Sequence, residues 1–149
     1  VILDVTKGGR TGLPYQVGAN LILLRAIVDF AKTPVGSLDQ IQLFNMPAGS
    51  LCAGIGIKII RAEGSSAFMS IGDADNAAGW IDAADLNAEG EMRYSSLALL
   101  SVNEGSSVEL LGYGGGRFYQ GLLPIMAEPS VALDRAVVEV VALIIPVFN

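Results

Sequence analysis

The chain has no histidine, one cysteine and only 16% charged residues over 149 positions. Each shortage excludes a class of chemistry. Without histidine there is no imidazole to serve as general base, metal ligand or switch near neutral pH. No serine has a base to activate it, and no Ser-x-x-Lys spacing stands in for one. An enzyme is therefore not expected, and neither is a cofactor. The single Cys52 permits no intrachain disulfide, and in its apolar surroundings it reads as a small buried hydrophobe. Nine basic residues stand against fifteen acidic ones, for a net charge of −6. The basic residues are scattered singly, so no run exists that would replace counterions on a nucleic-acid backbone. Long apolar runs are missing too. The longest, Val140 to Phe148, falls far short of the roughly 20 residues a bilayer-spanning helix needs, and Pro146 interrupts it. The N-terminal residues lack the basic stretch and apolar core of a secretory signal. Neither nucleic acid nor a membrane is an expected partner.

What is present is apolar residue, 52% of the chain, where globular proteins carry about 25% charge against the 16% here. One core of this size leaves apolar surface over, and such surface on a folded protein marks contacts with partners. The organisation expected is an arm and Gly-rich loop over residues 1–18, then one domain over 19–149.

The pattern within that domain is short β-like runs separated by Gly, Pro, Asn, Asp and Ser, which predicts an all-β antiparallel sandwich. Asn20 to Phe30 is apolar and rich in Ile, Val and Leu, favouring strand over helix. In Asp39 to Phe44, Ile41 and Leu43 alternate with Gln40 and Gln42, the period of a half-buried strand. After a Met46-Pro47-Ala48-Gly49 turn, Leu51 to Glu63 predicts a long strand. Leu51, Ala53, Ile55, Ile57 and Ile59 fall on one face; Gly54 and Gly56 on the other suggest a bend or bulge. Ala67 to Ile71 predicts the next strand. Asp73 to Gly90 predicts a long acidic loop with a helical turn near Asp82 to Leu86. Leu97 to Val102 and Ser106 to Leu111 predict a hairpin through Asn103-Glu104-Gly105. Arg117 to Ile125 predicts a strand, and Arg135 to Phe148 a last long one. That last strand is apolar on both faces, so a loop or another subunit must cover its second face.

The chemical-looking clusters have structural explanations. Asp73 and Asp75 begin like a calcium loop, but Ala77, Ala78 and Ala84 occupy positions where an EF-hand needs an oxygen ligand, a glycine and a glutamate. No metal site is expected. Asp82 and Asp85 are a carboxylate pair with only Trp80 nearby as a sugar platform. Gly8-Gly9-Arg10-Thr11-Gly12 and Gly112 to Gly116 lack phosphate-loop spacing and read as turns. Tyr113, Arg117, Phe118 and Tyr119 around the second of these form either a binding tip or ordinary cross-strand packing.

Residues 39–87 carry a resemblance. A strand leads into Pro47-Ala48-Gly49, then a long apolar strand, Ile71-Gly72-Asp73, an acidic loop with Trp80, and Asp85-Leu86-Asn87. This succession resembles virion structural proteins of tailed bacteriophages, and looks like their small capsid decoration, or cement, proteins. The resemblance covers about a third of the chain. It implies a jelly-roll-like sandwich, no catalytic residues, synthesis in the host cytoplasm and a place on the capsid exterior. The implied partners are the major capsid protein and further copies of the chain, as a dimer or trimer. A head-fibre or tail module binding a host receptor or glycan is the alternative. The residues expected to make contacts are Val1, Ile2, Leu3, Val5, Arg10 and Tyr15 of the arm, Tyr113, Arg117 and Tyr119 of the tip, and Val138, Val140, Ile144 and Phe148 of the last strand. An arm adding a strand to a neighbour's sheet edge would gain main-chain hydrogen bonds across the interface.

Overall fold

The computed structural model describes residues 22–95, 113 and 116–146. The alternating segments form strands where the period requires. These are β1 (Ile22–Asp29), β2 (Ile41–Met46), β3 (Ser50–Arg61), β4 (Phe68–Gly72), β5 (Ile81–Asp85), β6 (Met92–Tyr94), β7 (Arg117–Tyr119), β8 (Leu123–Pro129) and β9 (Val137–Pro146). No helix occurs among the described residues. All pairings are antiparallel, in two sheets. Sheet one runs β1-β9-β3, and both β6 and β7 pair with the far edge of β3. Sheet two runs β2-β8-β4-β5. β6 faces Gly56 to Lys58 and β7 faces Ser50 to Cys52, so the two lie end to end, in the same direction, as halves of one edge strand. Counted so, two four-stranded sheets exchange strands in jelly-roll order, which is the sandwich expected from the alternation.

The core is the inner faces of both sheets. Leu24, Ala26 and Val28 of β1 alternate inward, as do Val138, Val140, Ala142 and Ile144 of β9. Sheet two contributes Ile41, Leu43, Met69, Ile71, Ile125 and Ala127. Both prolines of β8 stand where that strand has a neighbour on one side only. Pro124 pairs with Asn45 beyond the reach of β4, and Pro129 pairs with Met69 beyond the reach of β2. A missing N–H there costs no ladder bond on the vacant side.

The strands depart from the expected pattern in three places, two of them at bulges. In β3 the register shifts between Cys52 and Gly54. Cys52 points inward before the shift and Ile55, Ile57 and Ile59 after it, so Leu51 and Ala53 are not on the core face. The acidic segment holds a strand, β5, rather than a loop with a helical turn. Its register shifts opposite Met69 and Ile71, and Ala83 takes a positive φ of 51°. The shift buries Ile81 and Ala84 with two exposed residues between them. Burial three residues apart imitates a helical period, which is why a strand there looked like a turn of helix. Finally, Arg117 to Ile125 is two strands in different sheets, parted at Gln120 to Leu122. The predicted hairpin over residues 97–111 lies outside the described residues.

Candidate functional site

The acidic loop and the aromatic tip, separate in the sequence, meet between the sheets. The Asp73 side chain is wholly buried at the end of β4. Its Oδ1 accepts from the Tyr113 hydroxyl at 2.9 Å and from the backbone N–H groups of Asp75 and Asn76 at 3.0 and 3.1 Å. Its Oδ2 accepts from the Tyr119 hydroxyl at 2.8 Å and from Arg117 Nη1 at 2.7 Å. The Tyr119 hydroxyl in turn accepts from Trp80 Nε1 at 3.0 Å. Arg117 reaches Asp75 with its other nitrogen and lies over both tyrosine rings, 4.6 and 4.9 Å from their centroids. The guanidinium therefore combines charge pairing with cation–π contact.

Burial and the adjacent Asp73 push the Tyr113 phenol up to about 12 and raise that of Tyr119 further, so both stay neutral donors. Gly79 lets this assembly close, since a Cβ there would stand 2.2 Å from the Tyr113 ring. With both tyrosine hydroxyls and Arg117 Nη1 directed at one carboxylate, the cluster is a clasp between β4, β7 and Tyr113. Among the described residues, no group of three or more metal-ligating side chains occurs. Of the two readings of the tip, the geometry shows packing: Tyr119 is buried, both tyrosine hydroxyls and Arg117 Nη1 turn to Asp73, and Arg117 Nη2 reaches the exposed Asp75.

Glu63 closes the opposite end. Its carboxylate accepts the backbone N–H groups of Asp134, Arg135 and Ala136 at 3.0, 3.1 and 2.7 Å. Burial alone would raise its pKa, but these three donors hold it below the ordinary carboxylate value. Asp82 and Asp85 are both exposed on β5, and Asp85 accepts the N–H of Asn87 in a local turn.

The open apolar surfaces lie elsewhere. Val138, Val140 and Ile144, expected at an interface, are buried in the sandwich core. The other face of β9 is the open one, and its neighbours extend it. On one row Leu23 stands beside Leu143, which stands beside Gly54. On another, Ile145 stands beside Leu51, which stands beside Phe118. Tyr94, 64% exposed, lies across Gly56 next to Val141. This outer face of sheet one is a continuous apolar field, and no described residue packs over it. Its charged members are Lys58 and the ion pairs Arg25–Glu139 at 2.6 Å and Arg61–Asp29 at 3.1 Å. Period-2 alternation in β9 revealed two apolar faces but not which one turns inward.

A second apolar surface went unforeseen. Leu38 is 65% exposed and held at φ 63°, a conformation that costs a branched residue energy. Its N–H donates to Pro129 O at 2.9 Å, and the adjacent Ser37 hydroxyl donates to Ser130 O at 3.0 Å. Ser130 also bonds both backbone groups of Phe68, through its N–H and its hydroxyl. Leu38, Phe68 and Val131 are thereby gathered, all exposed, at one end of the sandwich. Residues so far apart in the chain carry no joint pattern; a leucine within a Gly-Ser-Leu-Asp turn was the one available signal.

Charge is partitioned between the sheets. Arg25, Lys58, Arg61, Arg93 and Arg117 all stand on sheet one. Strands β2, β4, β5 and β8 carry no Lys or Arg, but Asp82, Asp85 and Glu128. Val1, Ile2, Leu3, Val5, Arg10, Tyr15 and Phe148 lie outside the described residues.

No protein-family model matches the sequence, and no curated protein matches it. Solved structures do. A chain in the capsid of Ralstonia phage GP4 has a TM-score of 0.61 at 10% identity, over 100% of this chain and 99% of that one. A chain in the Cyanophage Pam1 capsid asymmetric unit has 0.60 at 14% identity, over 95% and 96%. One in the acid-stable capsid of Helicobacter pylori bacteriophage KHP30 has 0.58 at 12% identity, over 84% and 86%. Likeness at such identities establishes a shared fold over nearly the whole chain, and function has to be argued from surfaces.

Proposed function

We propose that this chain is a non-enzymatic structural protein of a phage virion that attaches to the capsid exterior and cements the shell. Its partners are the major capsid protein and further copies of itself. The observation that carries the reading is a pair of separate apolar surfaces on one jelly roll: the outer face of sheet one and the Leu38–Phe68–Val131 end. A protein that braces a shell must grip two neighbours at once, and two surfaces on different sides of a rigid body allow that. The likeness to chains of phage capsids supports the setting. The lack of Lys and Arg in the four strands of sheet two supports an exterior position, because acidic surface is repelled by packaged nucleic acid and suited to water. Individual contacts need only be modest, since repetition over a shell multiplies them. The alternative, a fibre or tail module reading a glycan with its aromatic tip, loses support because Tyr113, Arg117 and Tyr119 are spent on Asp73.

The test is to add labelled protein to shells assembled without it and to image and heat them. Saturable label on the outer surface of heads, with a raised temperature of shell disruption, is expected. Leu38→Glu is expected to weaken attachment while leaving the fold intact. Label confined to tails, or shells that bind none, would refute the reading.

A further inference from the structure

We propose that the outer face of sheet one docks on the same face of a second copy, forming a two-fold, sheet-on-sheet dimer. This rests on reading that face as a contact surface, and not on attachment to a capsid. Three observations choose a second copy as the occupant.

The first is size. Leu23, Ile27, Ile60, Tyr94 and Phe118 are between 40% and 64% exposed, with Leu143 close behind. With large side chains offering about 150–250 Å² each when fully exposed, these six present on the order of 400–700 Å², and half-buried Leu51, Val141 and Ile145 beside them bring the face toward the share of about 800 Å² per partner in a stable interface. The second is shape. Gly54, beside Leu143, has no side chain, and Gly56 is levelled by the Tyr94 ring. Side chains of moderate length on a pleated sheet around such a strip favour another sheet at about 10 Å rather than a knob or helix.

The third is charge. The chain carries −6 overall, so two copies repel through most approaches. Sheet two would set Asp82, Asp85 and Glu128 against their own counterparts. The outer face of sheet one carries both signs: Arg25 neutralises Glu139, and Lys58 stands beside Glu139 in register. It is the face on which a copy meets its own kind without stacking acids. A patch that recognises itself closes under two-fold symmetry, as an isologous dimer and not a trimer. The Leu38 end remains free for a different partner.

The experiment is light scattering and sedimentation on the full chain, without any capsid component. A dimer mass is expected at micromolar concentration. Leu143→Glu and Leu23→Glu each place two unpaired carboxylates in the interface and are expected to raise the dissociation constant by about 100-fold or more. Leu38→Glu is expected to leave the mass unchanged. Leu23 is 55% exposed, so its replacement spares the core even where Leu143→Glu disturbs folding. Cysteines introduced singly at Leu23, Val141 and Leu143 are expected to form an intermolecular disulfide in at least one case, with buried Cys52 not competing. A monomer, a trimer, or a dimer that withstands Leu23→Glu would overturn the proposal, whether or not the chain binds capsids. Failure to bind shells by a chain that still dimerises would instead overturn only the cement reading.

Discussion

Removing the Asp73 carboxylate is the sharpest perturbation the structure offers. In Asp73→Ala five donors lose their acceptor: two tyrosine hydroxyls, Arg117 Nη1 and two backbone N–H groups. Deleting one member of a buried ion pair costs about 3–5 kcal/mol, because the remaining charge and donors stay desolvated. Here Arg117 keeps Asp75, and its side chain is 25% exposed, which places the expectation at the lower end, about 3 kcal/mol. For a chain of this length that corresponds to a fall in Tm of roughly 6–12 °C. Asp73→Asn preserves shape but turns an amide donor toward other donors, and is expected to cost somewhat less. Urea unfolding at fixed chain concentration measures both, since self-association would otherwise shift the midpoint. A double-mutant cycle with Tyr119→Phe is expected to show coupling of about 1 kcal/mol or more. If Asp73→Ala costs less than about 1 kcal/mol, as ordinary surface changes do, the clasp is not a stabilising element and the reasoning fails.

Three further outcomes are expected. Glu63 has a folded pKa below its ordinary value of 4.5, so the stability it adds is present above that pH and lost as pH falls through the lower folded value; urea midpoints across acid pH are expected to drop in the wild type and to drop less in Glu63→Gln, which starts lower at neutral pH. Burial pushes the Cys52 thiol up to about 12, so a thiol reagent at neutral pH is expected to label it only after denaturation; rapid labelling of the native protein would contradict its place in the core. A Cβ at Gly72 would stand 2.0 Å from the Asn76 carbonyl oxygen, so Gly72→Ala is expected to cost about 1–3 kcal/mol in a thermal melt and to loosen the loop that carries Asp73.

Much was settled locally. Strands β1, β2, β3, β4 and β9 were legible because alternation and bounding turns are written in consecutive residues. The shortage of charge announced apolar surface in excess of the core, and the absent histidine excluded most catalytic arrangements. The bulges were harder, because a shift of one residue in a partner strand leaves no mark on the strand it displaces: β5 was hidden behind a false helical spacing, and Leu51 and Ala53 were assigned to the wrong face. The clasp was legible only as two unrelated clusters, one acidic and one aromatic. Arg117 stands 44 residues from Asp73, and nothing in either segment records the other. Tertiary structure alone decided which apolar face of the last strand is core and which is open, since both satisfy the same period and only the position of the opposing sheet distinguishes them. Sequence thus determined that this chain folds as a sandwich with apolar surface left over, while the packing of one sheet on the other determined where that surface lies.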